Sequence, residues 1–347
     1  MKTINVGLAS YGMSGEIFHA PLLHAHEGFN IAKILERTKN KSRDRYAYAN
    51  IVRNYKEITE DGNIDLIVVN TPDKEHYEMA LAAIQAGKHV VVEKPFTLKV
   101  CEADDLIAAS GKTGKLLSVF QNRRWDGDFL TVQKIINEGL LGRLVEYEAH
   151  FDRYRNYLQP ESWKEQAASG TGTIYNLGSH LIDQALVLFG IPEAVTADIR
   201  VLRSGAKVDD AMTLLLKYPE IKVTLKASYL VREPGPRYSL HGTHGSFLKW
   251  GLDPQEENLK TGKSPVDPDW GKEDENNWGI LNTEINGLHY SGMVETLPGN
   301  YMAYYDDIYD AIIHNRTPAV TAGQGRDVIR VIEAAKESSK VGKAAKL

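Results

Sequence analysis

Short apolar runs alternate with amphipathic stretches over the first third of the chain. The apolar runs predict strands near residues 4–9, 31–36, 65–70, 89–93 and 116–121. Residues 74–87 have the pattern of a helix that ends at Gly87. Strands that alternate with helices are typical of parallel βαβ units. We therefore predict an α/β domain with a parallel sheet over residues 1–121.

The pattern changes after residue 122. Longer strands, several with alternating polarity, are predicted at 143–151, 194–202, 211–218 and 221–229. The last two flank Pro219-Glu220, which predicts an antiparallel hairpin. We therefore expect the second domain, residues 122–347, to be α+β and built on a mostly antiparallel sheet.

The remaining part of the second domain carries fewer strand patterns. Residues 252–300 are rich in Gly, Pro, Asn and Asp, and we expect long loops there. Helices are predicted near 301–314 and 325–340. The last helix is apolar on one face, which suggests that it packs back on the first domain.

Composition narrows the classes of protein. A chain of 347 residues is longer than a usual single core, so two domains are expected. The net charge of −5 gives no electrostatic basis for binding nucleic acid or an anionic membrane. Cys101 is the only cysteine, which excludes an internal disulfide framework and a thiolate metal site. The histidines also lack metal-ligand spacing, so we expect no metal.

No apolar run reaches the length of a membrane span, and the chain enters a strand directly from its first residues. We therefore expect a cytoplasmic protein without a signal peptide.

The first predicted strand leads into a turn of small residues, Ala9-Ser10-Tyr11-Gly12-Met13-Ser14-Gly15. Glu36 follows Gly15 by 21 residues, at the end of the second predicted strand. Strand, glycine turn, helix, strand and terminal acid is the order of a dinucleotide-binding unit. Glycines let the backbone approach a pyrophosphate, and the acid can bind a ribose diol. Ser10 departs from Gly-x-Gly-x-x-Gly, and the alternative is an ordinary strand-to-helix turn.

The predicted cofactor is NAD or NADP, with NAD favoured. Glu36 would repel a 2′-phosphate, whereas the neighbouring Arg37 could bind one. The expected cofactor contacts lie in the glycine turn and after the predicted strands: Ser10, Tyr11, Gly12, Met13, Ser14, Gly15, Glu36, Arg37, Asn70, Thr71, Pro72, His76, Glu93, Lys94 and Gln121.

Two side chains are candidates for catalysis. His180 lies at helical spacing from Asn176 and Asp183, and an imidazole can accept a proton from a hydroxyl near neutral pH. The alternative for His180 is a structural histidine in a polar stripe. Lys94 follows a predicted parallel strand, where an ammonium can stabilise developing alkoxide charge. The alternative for Lys94 is an exposed loop lysine.

Several motifs together resemble the glucose–fructose oxidoreductase/inositol dehydrogenase/MocA (Gfo/Idh/MocA) family. The motifs are Phe18-His19-Ala20-Pro21, Thr71-Pro72 with His76, Glu93-Lys94-Pro95 and Gly178-x-His180-x-x-Asp183. The segments 120–126, 240–242 and 251–256 resemble a bacterial subgroup that includes scyllo-inositol 2-dehydrogenases. The resemblance covers essentially the whole chain.

The resemblance implies a Rossmann domain followed by an α+β domain whose large open sheet forms dimer or tetramer contacts. It implies catalytic roles for Lys94 and His180, and it places Asn176 where the family usually has aspartate. An asparagine can bind a sugar hydroxyl but brings no charge to support an imidazolium.

The expected function is NAD(P)-dependent hydride transfer at a secondary hydroxyl or ketone of a cyclic polyol or sugar. The expected substrate contacts are Asn176, Arg124, Trp163, Tyr154 and Asp183. Two alternatives stay open, namely a sugar or glycoside dehydrogenase with the same chemistry and a non-catalytic sensor that binds the cofactor.

Overall fold

The computed structural model describes residues 2–159, 162, 165–166 and 170–347. The chain forms two compact units. The first unit contains Met1–Trp125, Pro254–Trp270 and Asn300–Arg326. The second contains Asp126–Asp253, Gly271–Gly299 and Asp327–Leu347. Two later segments of the chain thus belong to the first unit, and the predicted boundary after residue 121 stays a prediction.

The first unit is built on a parallel sheet. Its strands are β1 (Ile4–Leu8), β2 (Phe29–Leu35), β3 (Asn50–Val52), β4 (Leu66–Val69), β5 (His89–Val92) and β6 (Leu117–Val119). Their spatial order is β3-β2-β1-β4-β5-β6, and every adjacent pair is parallel. All four residues of β4 are fully buried, as its continuous apolar sequence predicts. The predicted Rossmann sheet is confirmed, although β3 was not predicted.

Helices follow most of these strands and bury their apolar faces. Those of the first unit are α1 (Ala20–Ala25), α2 (Lys56–Thr59), α3 (His76–Gln85), α4 (Val100–Thr113), α7 (Gln255–Lys260) and α8 (Met302–His314). Helix α4 ends at Thr113 and is capped by Gly114, whose φ of 66° lies in the left-handed region. Helix α8 buries Tyr304 and Tyr305, and Tyr301, the residue just before the helix, is also fully buried.

The second unit is built on a mixed, mostly antiparallel sheet. Its strands are β7 (Leu144–His150), β8 (Ala194–Arg200), β9 (Ala211–Lys217), β10 (Lys222–Ser228), β11 (Tyr238–Gly242), β12 (Gly245–Lys249), β13 (Gly279–Ile285), β14 (Leu288–Val294) and β15 (Ala345–Lys346). Their order is β14-β13-β12-β11-β7-β10-β9-β8-β15. Strands β7 and β10 are parallel, and the other neighbours are antiparallel. This confirms the expected sheet.

The predicted hairpin at Pro219-Glu220 is confirmed as β9 and β10. Strand β9 alternates buried and exposed residues, so one face of the sheet is packed and the other is not. Helices α5 (Gly127–Asn137) and α6 (Ser179–Phe189) belong to the second unit, and helix α9 (Ala322–Val341) belongs to it from Asp327 onward. The predicted apolar face of α9 is buried from Val328 to Ala335, and the hydroxyl of Ser338 accepts a hydrogen bond from the Ala197 N–H of β8 at 3.0 Å.

The prediction of long loops over residues 252–300 is wrong in two places. Helix α7 lies there, and β13 and β14 form a hairpin in which seven residues of each strand are paired. Asn286 and Gly287 connect them with φ of 51° and 80°. An Asn-Gly pair with both residues at positive φ is the preferred turn of a two-residue hairpin. The Gly- and Asn-rich composition therefore marks a turn between strands rather than a loop.

Candidate functional site

The glycine turn in the first unit brings two backbone segments into close approach. Gly15 begins a π-helical turn, Gly15–His19, directly after β1 and its loop. A Cβ on Gly15 would lie 2.4 Å from the Ser10 carbonyl oxygen and 2.7 Å from Asn70 Nδ2. Asn70 in turn donates to that carbonyl at 2.9 Å. Only glycine fits between these groups, as a phosphate-binding turn requires.

Ser10, which replaces the first glycine of the usual motif, has a role of its own in the turn. Its hydroxyl oxygen accepts the Gly12 N–H at 3.1 Å. A Cβ on Gly12 would lie 3.5 Å from that hydroxyl, which is an ordinary contact. Met13 is 55% exposed, and Tyr11 is buried edge-on against Tyr46. The serine therefore stabilises the turn through a side-chain hydrogen bond.

Glu36 ends β2 and fixes the loop that follows. Its Oε1 accepts the Ser42 N–H at 2.9 Å and the Ser42 hydroxyl at 2.5 Å, and its Oε2 accepts the Lys41 N–H at 2.8 Å. Burial by itself would raise the pKa of Glu36, but these hydrogen bonds outweigh it and hold the pKa below its usual range. A carboxylate offers about four acceptor positions. Three of these positions on Glu36 are occupied by the donors of Lys41 and Ser42.

Arg37, the alternative ligand for a 2′-phosphate, is largely exposed. Its Nη2 lies 3.3 Å from Glu75 Oε2, with 69% of the arginine side chain exposed. An exposed pair of this kind is weak and can exchange partners. Arg37 is thus accessible next to the Glu36 carboxylate.

The loops after β4 and β5 are joined by a histidine. His76 is fully buried, with Nδ1 2.8 Å from the Pro95 carbonyl oxygen and Nε2 3.0 Å from that of Thr71. Both ring nitrogens thus contact backbone carbonyls. The geometry gives His76 a positioning function, while direct cofactor contacts of His76, Thr71 and Pro72 stay predictions.

Glu93 is the centre of a buried hydrogen-bond network. Its Oε1 lies 3.0 Å from His19 Nε2 and also accepts the Ser14 hydroxyl, while Oε2 accepts the Lys94 N–H at 3.0 Å. Burial opposes the charge, yet the bonds from His19 and Ser14 and the charge of Lys94 lower the pKa of Glu93 to about 2. The carboxylate is therefore charged and links the glycine turn to the backbone of Lys94.

His19 extends this network to helix α8. Its Nδ1 lies 2.6 Å from the Tyr305 hydroxyl. Because a carboxylate only accepts, His19 Nε2 carries the proton toward Glu93. Burial raises the pKa of Tyr305 well above its usual range, so the phenol keeps its proton. Both ring nitrogens of His19 and both carboxylate oxygens of Glu93 thus have a hydrogen-bond partner.

Lys94 lies just after β5, and Gln121 and Arg124 lie just after the adjacent strand β6. The Lys94–Pro95 bond is cis, and the Lys94 side chain is half-buried. Gln121, which follows β6, is almost fully buried. Arg124 lies in the 3-10 turn Asn122–Trp125, where its Nη1 donates to Gln324 Oε1 at 3.0 Å. Arg124 therefore has a protein partner in the first unit.

In the second unit, the polar motif lies across two kinds of helix. Ile174–Gly178 is a π-helical turn that contains Asn176, and α6 starts at Ser179 and contains His180 and Asp183. The predicted α-helical spacing therefore holds for His180 and Asp183 but not for Asn176. π-helical turns are rare in proteins overall, but those that occur are often found at functional sites.

Asp209 holds the start of this π-helical turn. Its Oδ2 accepts the Ile174 N–H at 2.8 Å, and burial raises the pKa of the Asp209 carboxyl above its usual range. Gly172 has a φ of 98°, and a Cβ there would lie 2.1 Å from Asp209 Oδ1. The glycine is required both by its backbone conformation and by this close approach.

Asn176 belongs to a cluster of aromatic and cationic groups. Its Nδ2 donates to the Tyr229 hydroxyl at 3.2 Å. The Arg203 guanidinium lies 5.0 Å from the Tyr229 ring centroid, and that of Arg155 lies 5.8 Å from it. Polar hydrogen-bonding groups beside an aromatic ring are suited to a hydroxylated ligand.

The other predicted substrate contacts differ in their setting. Tyr154 is 41% exposed, and the Arg232 guanidinium lies 4.3 Å from its ring centroid. Trp163 lies outside the described residues. Asp183 is 2% exposed and His180 is 5% exposed. Two buried ionisable side chains on one helix are unusual unless they serve a structural network or a function.

Several residues of these networks were not predicted. Tyr229, Ser42 and Tyr305 contact Asn176, Glu36 and His19 from distant or loop positions, and nothing in the local sequence identifies them. His19 was noted only as part of a motif. The only indication that the sequence offered was the position of His19, about one helical turn after Gly15.

Two features are absent from the part of the chain that the structure describes. No group of three or more His, Cys, Asp or Glu side chains there could hold a metal ion. Nor does any helix in this part of the chain combine the length and apolarity that a bilayer crossing requires.

Comparison with known proteins agrees with the two-part architecture. Residues 4–121 match the model of the Gfo/Idh/MocA oxidoreductase family, NAD-binding Rossmann fold. Residues 133–347 match the model of the same oxidoreductase family, C-terminal alpha/beta domain. Fold and domain order define a nicotinamide-dependent oxidoreductase.

The chain belongs to the Gfo/Idh/MocA family. It is 43% identical to scyllo-inositol 2-dehydrogenase (NADP(+)) IolW of Bacillus subtilis, over 98% of this chain and 95% of that protein. A solved oxidoreductase structure from Bacteroides fragilis is 50% identical, covers 100% of both chains and superimposes with a TM-score of 0.92. Levoglucosan dehydrogenase, solved with NADH and levoglucosan, shares the fold at 19% identity and a TM-score of 0.81, covering 99% of both chains. The protein is therefore an NAD(P)-dependent dehydrogenase.

Proposed function

We propose that the protein transfers a hydride between a nicotinamide cofactor and a secondary hydroxyl or ketone of a cyclic polyol, with inositols as the first candidates. The supporting observation is the 43% identity to a scyllo-inositol 2-dehydrogenase over nearly the whole of both chains. Lys94, His180 and the Glu93 network agree with it.

The residues of the first unit fit a dinucleotide. Gly15 leaves no room for a side chain between Ser10 and Asn70, and the Glu36 carboxylate lies directly after β2, where such units bind a ribose hydroxyl. We propose NAD as the preferred cofactor, because the charged Glu36 repels a 2′-phosphate. NADP is the alternative, since the relative IolW is named for NADP(+) and Arg37 is accessible here.

The proposed chemistry divides between two side chains. When bound, the nicotinamide supplies the hydride acceptor at carbon. The His180 imidazole accepts the hydroxyl proton, and the Lys94 ammonium donates a hydrogen bond to the same oxygen as its negative charge develops. Glu93 holds the Lys94 N–H and so fixes the backbone from which the ammonium extends. In the reverse direction His180 returns the proton to the alkoxide oxygen.

The proposed substrate contacts are Asn176, Asp183, Arg124, Tyr154 and Trp163. Asn176 has the strongest support, because its amide donates to the Tyr229 hydroxyl and lies in a cluster of aromatic and cationic groups. Arg124 supports the proposal less, since Gln324 binds its guanidinium.

The experiment is a turnover assay that follows NADH and NADPH absorbance at 340 nm. The panel contains scyllo-inositol, myo-inositol, levoglucosan and common hexoses, and each is tested with both cofactors and in both directions. We expect turnover with a cyclic polyol and a higher kcat/KM with NAD than with NADP. Turnover restricted to hexoses or levoglucosan would contradict the polyol proposal and support a sugar dehydrogenase.

Sugar or glycoside oxidation is the second candidate. It is favoured by a relative, levoglucosan dehydrogenase of Pseudarthrobacter phenanthrenivorans, which is 25% identical over 72% of this chain and 74% of that protein. A cofactor-binding sensor is the third, and the replacement of aspartate by Asn176 is its basis. Cofactor binding without turnover across the whole panel would support the sensor.

We also propose that the protein is a homodimer or homotetramer. The open face of the second sheet, which exposes Leu215, Ile280 and Met293, supports this assembly. Light scattering after size-exclusion chromatography measures the mass, and a monomer at micromolar concentration would contradict it.

A further inference from the structure

The first unit contains a cavity far from the glycine turn. It has a volume of about 280 Å³ and lies where the parallel strands begin. Ile4 and His89 are the first residues of β1 and β5, and Asp65 directly precedes β4. Cofactors of doubly wound sheets bind at the opposite edge, where the strands end. The cavity therefore does not belong to the dinucleotide site.

The cavity has a net positive lining. Lys2, Lys88 and Lys115 contribute three ammonium groups, and Asp65 contributes one carboxylate. One of these charges is already committed, because Lys88 Nζ donates to the carbonyl oxygens of Asp61 at 2.6 Å and Ile64 at 2.9 Å. Lys88 is thus a buried positive charge in the lining of the cavity, and its ammonium group is held in place by these two hydrogen bonds.

Lys2 and Lys115 differ from Lys88. Within the described residues neither side chain forms an ion pair with a carboxylate. Both nevertheless act on His89, because the charges of Lys115 and Lys2 lower the pKa of that histidine. Two ammonium groups that form no ion pair within the described residues, the half-buried Lys115 and the exposed Lys2, therefore lie close enough to His89 to act on its charge.

His89 adds a hydrogen-bond donor. Its Nδ1 accepts the Leu116 N–H at 3.0 Å, so the proton of the neutral ring is on Nε2. Burial together with Lys115 and Lys2 lowers the pKa of His89 to about 4. At neutral pH the ring is uncharged and can donate from Nε2.

We propose that this cavity binds a small oxyanion, inorganic phosphate or a phosphate monoester, through the ammonium groups of Lys2 and Lys115 and the Nε2–H of His89. Phosphate oxygens accept several charge-assisted hydrogen bonds at once, which matches the three donors. Ile4 and Ile312 form an apolar wall beside them and leave room for a short carbon chain. Asp65 binds the Asn5 N–H at 2.9 Å through Oδ2 and can accept a ligand hydroxyl through its other oxygen.

The test is isothermal titration of inorganic phosphate into the protein saturated with NADH, so that the cofactor occupies the glycine turn. We expect saturable binding that weakens about tenfold in Lys115→Gln, the effect of losing one charge-assisted hydrogen bond. Lys112→Gln is the matched control, because it removes the same charge from an exposed position on α4. Unchanged binding in Lys112→Gln with loss in Lys115→Gln supports the site.

Two results would overturn the proposal, namely the absence of saturable binding to the wild-type protein and an equal loss in Lys115→Gln and Lys112→Gln. The second would show a general effect of net charge. Glycerol 3-phosphate, titrated in parallel, distinguishes a monoester from free phosphate as the preferred ligand.

A second measurement keeps the test independent of folding defects. We expect phosphate to raise the pKa of His89, followed by NMR of the imidazole in the wild-type protein, because the anion offsets the charges of Lys2 and Lys115. A His89 pKa that does not respond to phosphate would contradict the site. Lys2→Gln, near the chain start, should weaken the response without disturbing the sheet.

Discussion

Glu93 Oε1 lies 3.0 Å from Nε2 of His19, and both side chains are buried. The same carboxylate accepts the hydroxyl of Ser14 and the backbone N–H of Lys94. The oxygens of a buried, charged carboxylate need hydrogen-bond donors from the protein. Here the donors are Ser14 in the glycine turn, His19 in the π-helical turn and the backbone N–H of Lys94 at the end of β5. One ionised group thus links three segments of the first unit.

Glu93→Gln should therefore reduce stability in a pH-dependent way. The pKa of Glu93 falls from 4.5 to about 2 in the folded protein, so its contribution, about 3 kcal/mol, is fully present above the unfolded value of 4.5. It is lost as the pH falls from about 5 toward 2. Urea unfolding at pH 7, 5 and 4 should show the difference between wild-type and variant narrowing with acid. Glu138→Gln, an exposed carboxylate beside Lys134, is the control and should show little difference.

Glu36→Ser should change the choice of cofactor. The substitution removes the negative charge that repels a 2′-phosphate and leaves Arg37 in place. We expect the ratio of kcat/KM for NADPH to that for NADH to rise by about tenfold or more, equivalent to ~1.4 kcal/mol. Because Glu36 also binds Ser42 and Lys41, the variant should lose some thermal stability. An unchanged ratio would refute the role of Glu36 in selectivity.

His180→Ala tests the proposed proton acceptor. Removal of a general base typically lowers kcat by a factor of about 10² to 10⁴. NADH binding, measured by fluorescence titration, should change little. His289→Ala is the control, because His289 lies on the exposed strand β14 and contacts Asn282. Near-normal turnover of His180→Ala would make the assignment wrong.

Asn176→Asp tests the departure from the family pattern. An aspartate would bring negative charge to stabilise the imidazolium that forms when His180 accepts a proton. It can also accept a hydrogen bond from the Tyr229 hydroxyl, to which Asn176 now donates. We expect kcat to rise severalfold, and Asn176→Ala to raise KM for the polyol. A lower kcat for the aspartate variant would show that the site is adapted to the neutral amide.

Gly15→Ala should weaken cofactor binding. The new methyl group would collide with the Ser10 carbonyl and Asn70 and displace the turn. We expect Kd for NADH to rise at least tenfold. Gly111→Ala is the matched control, since a Cβ at Gly111 in helix α4 meets open space and alanine favours the helix. Equal affinity in both variants would contradict a tight phosphate-binding turn.

The sequence predicted those parts of the fold that depend on local pattern. The continuous apolar run at β4 and the alternation along β9 each identify a strand and its burial. Strand β3 covers only Asn50–Val52, which is too short for a period to be visible. The β13–β14 hairpin was missed because its polar residues face solvent and resemble a loop in composition.

The candidate site was predicted less completely for a different reason. Glu36 and Glu93 were identified from their positions at the ends of predicted strands, but their hydrogen-bond partners were not. Ser42 reaches Glu36 across six positions of sequence through the conformation of the loop between them, and Tyr305 reaches His19 across 286 positions. Contacts of that kind arise from tertiary packing and produce no periodic pattern in the amino-acid sequence.

The shared carboxylate of Glu93 also has a dynamic consequence. Since Ser14 and the amide of Lys94 are tethered to the same group, a rearrangement of the glycine turn must be felt at the lysine, and the converse holds equally. Under the proposed function, binding of the coenzyme at the glycine turn and positioning of the Lys94 ammonium would then be thermodynamically reciprocal, each favouring the other by one common free energy.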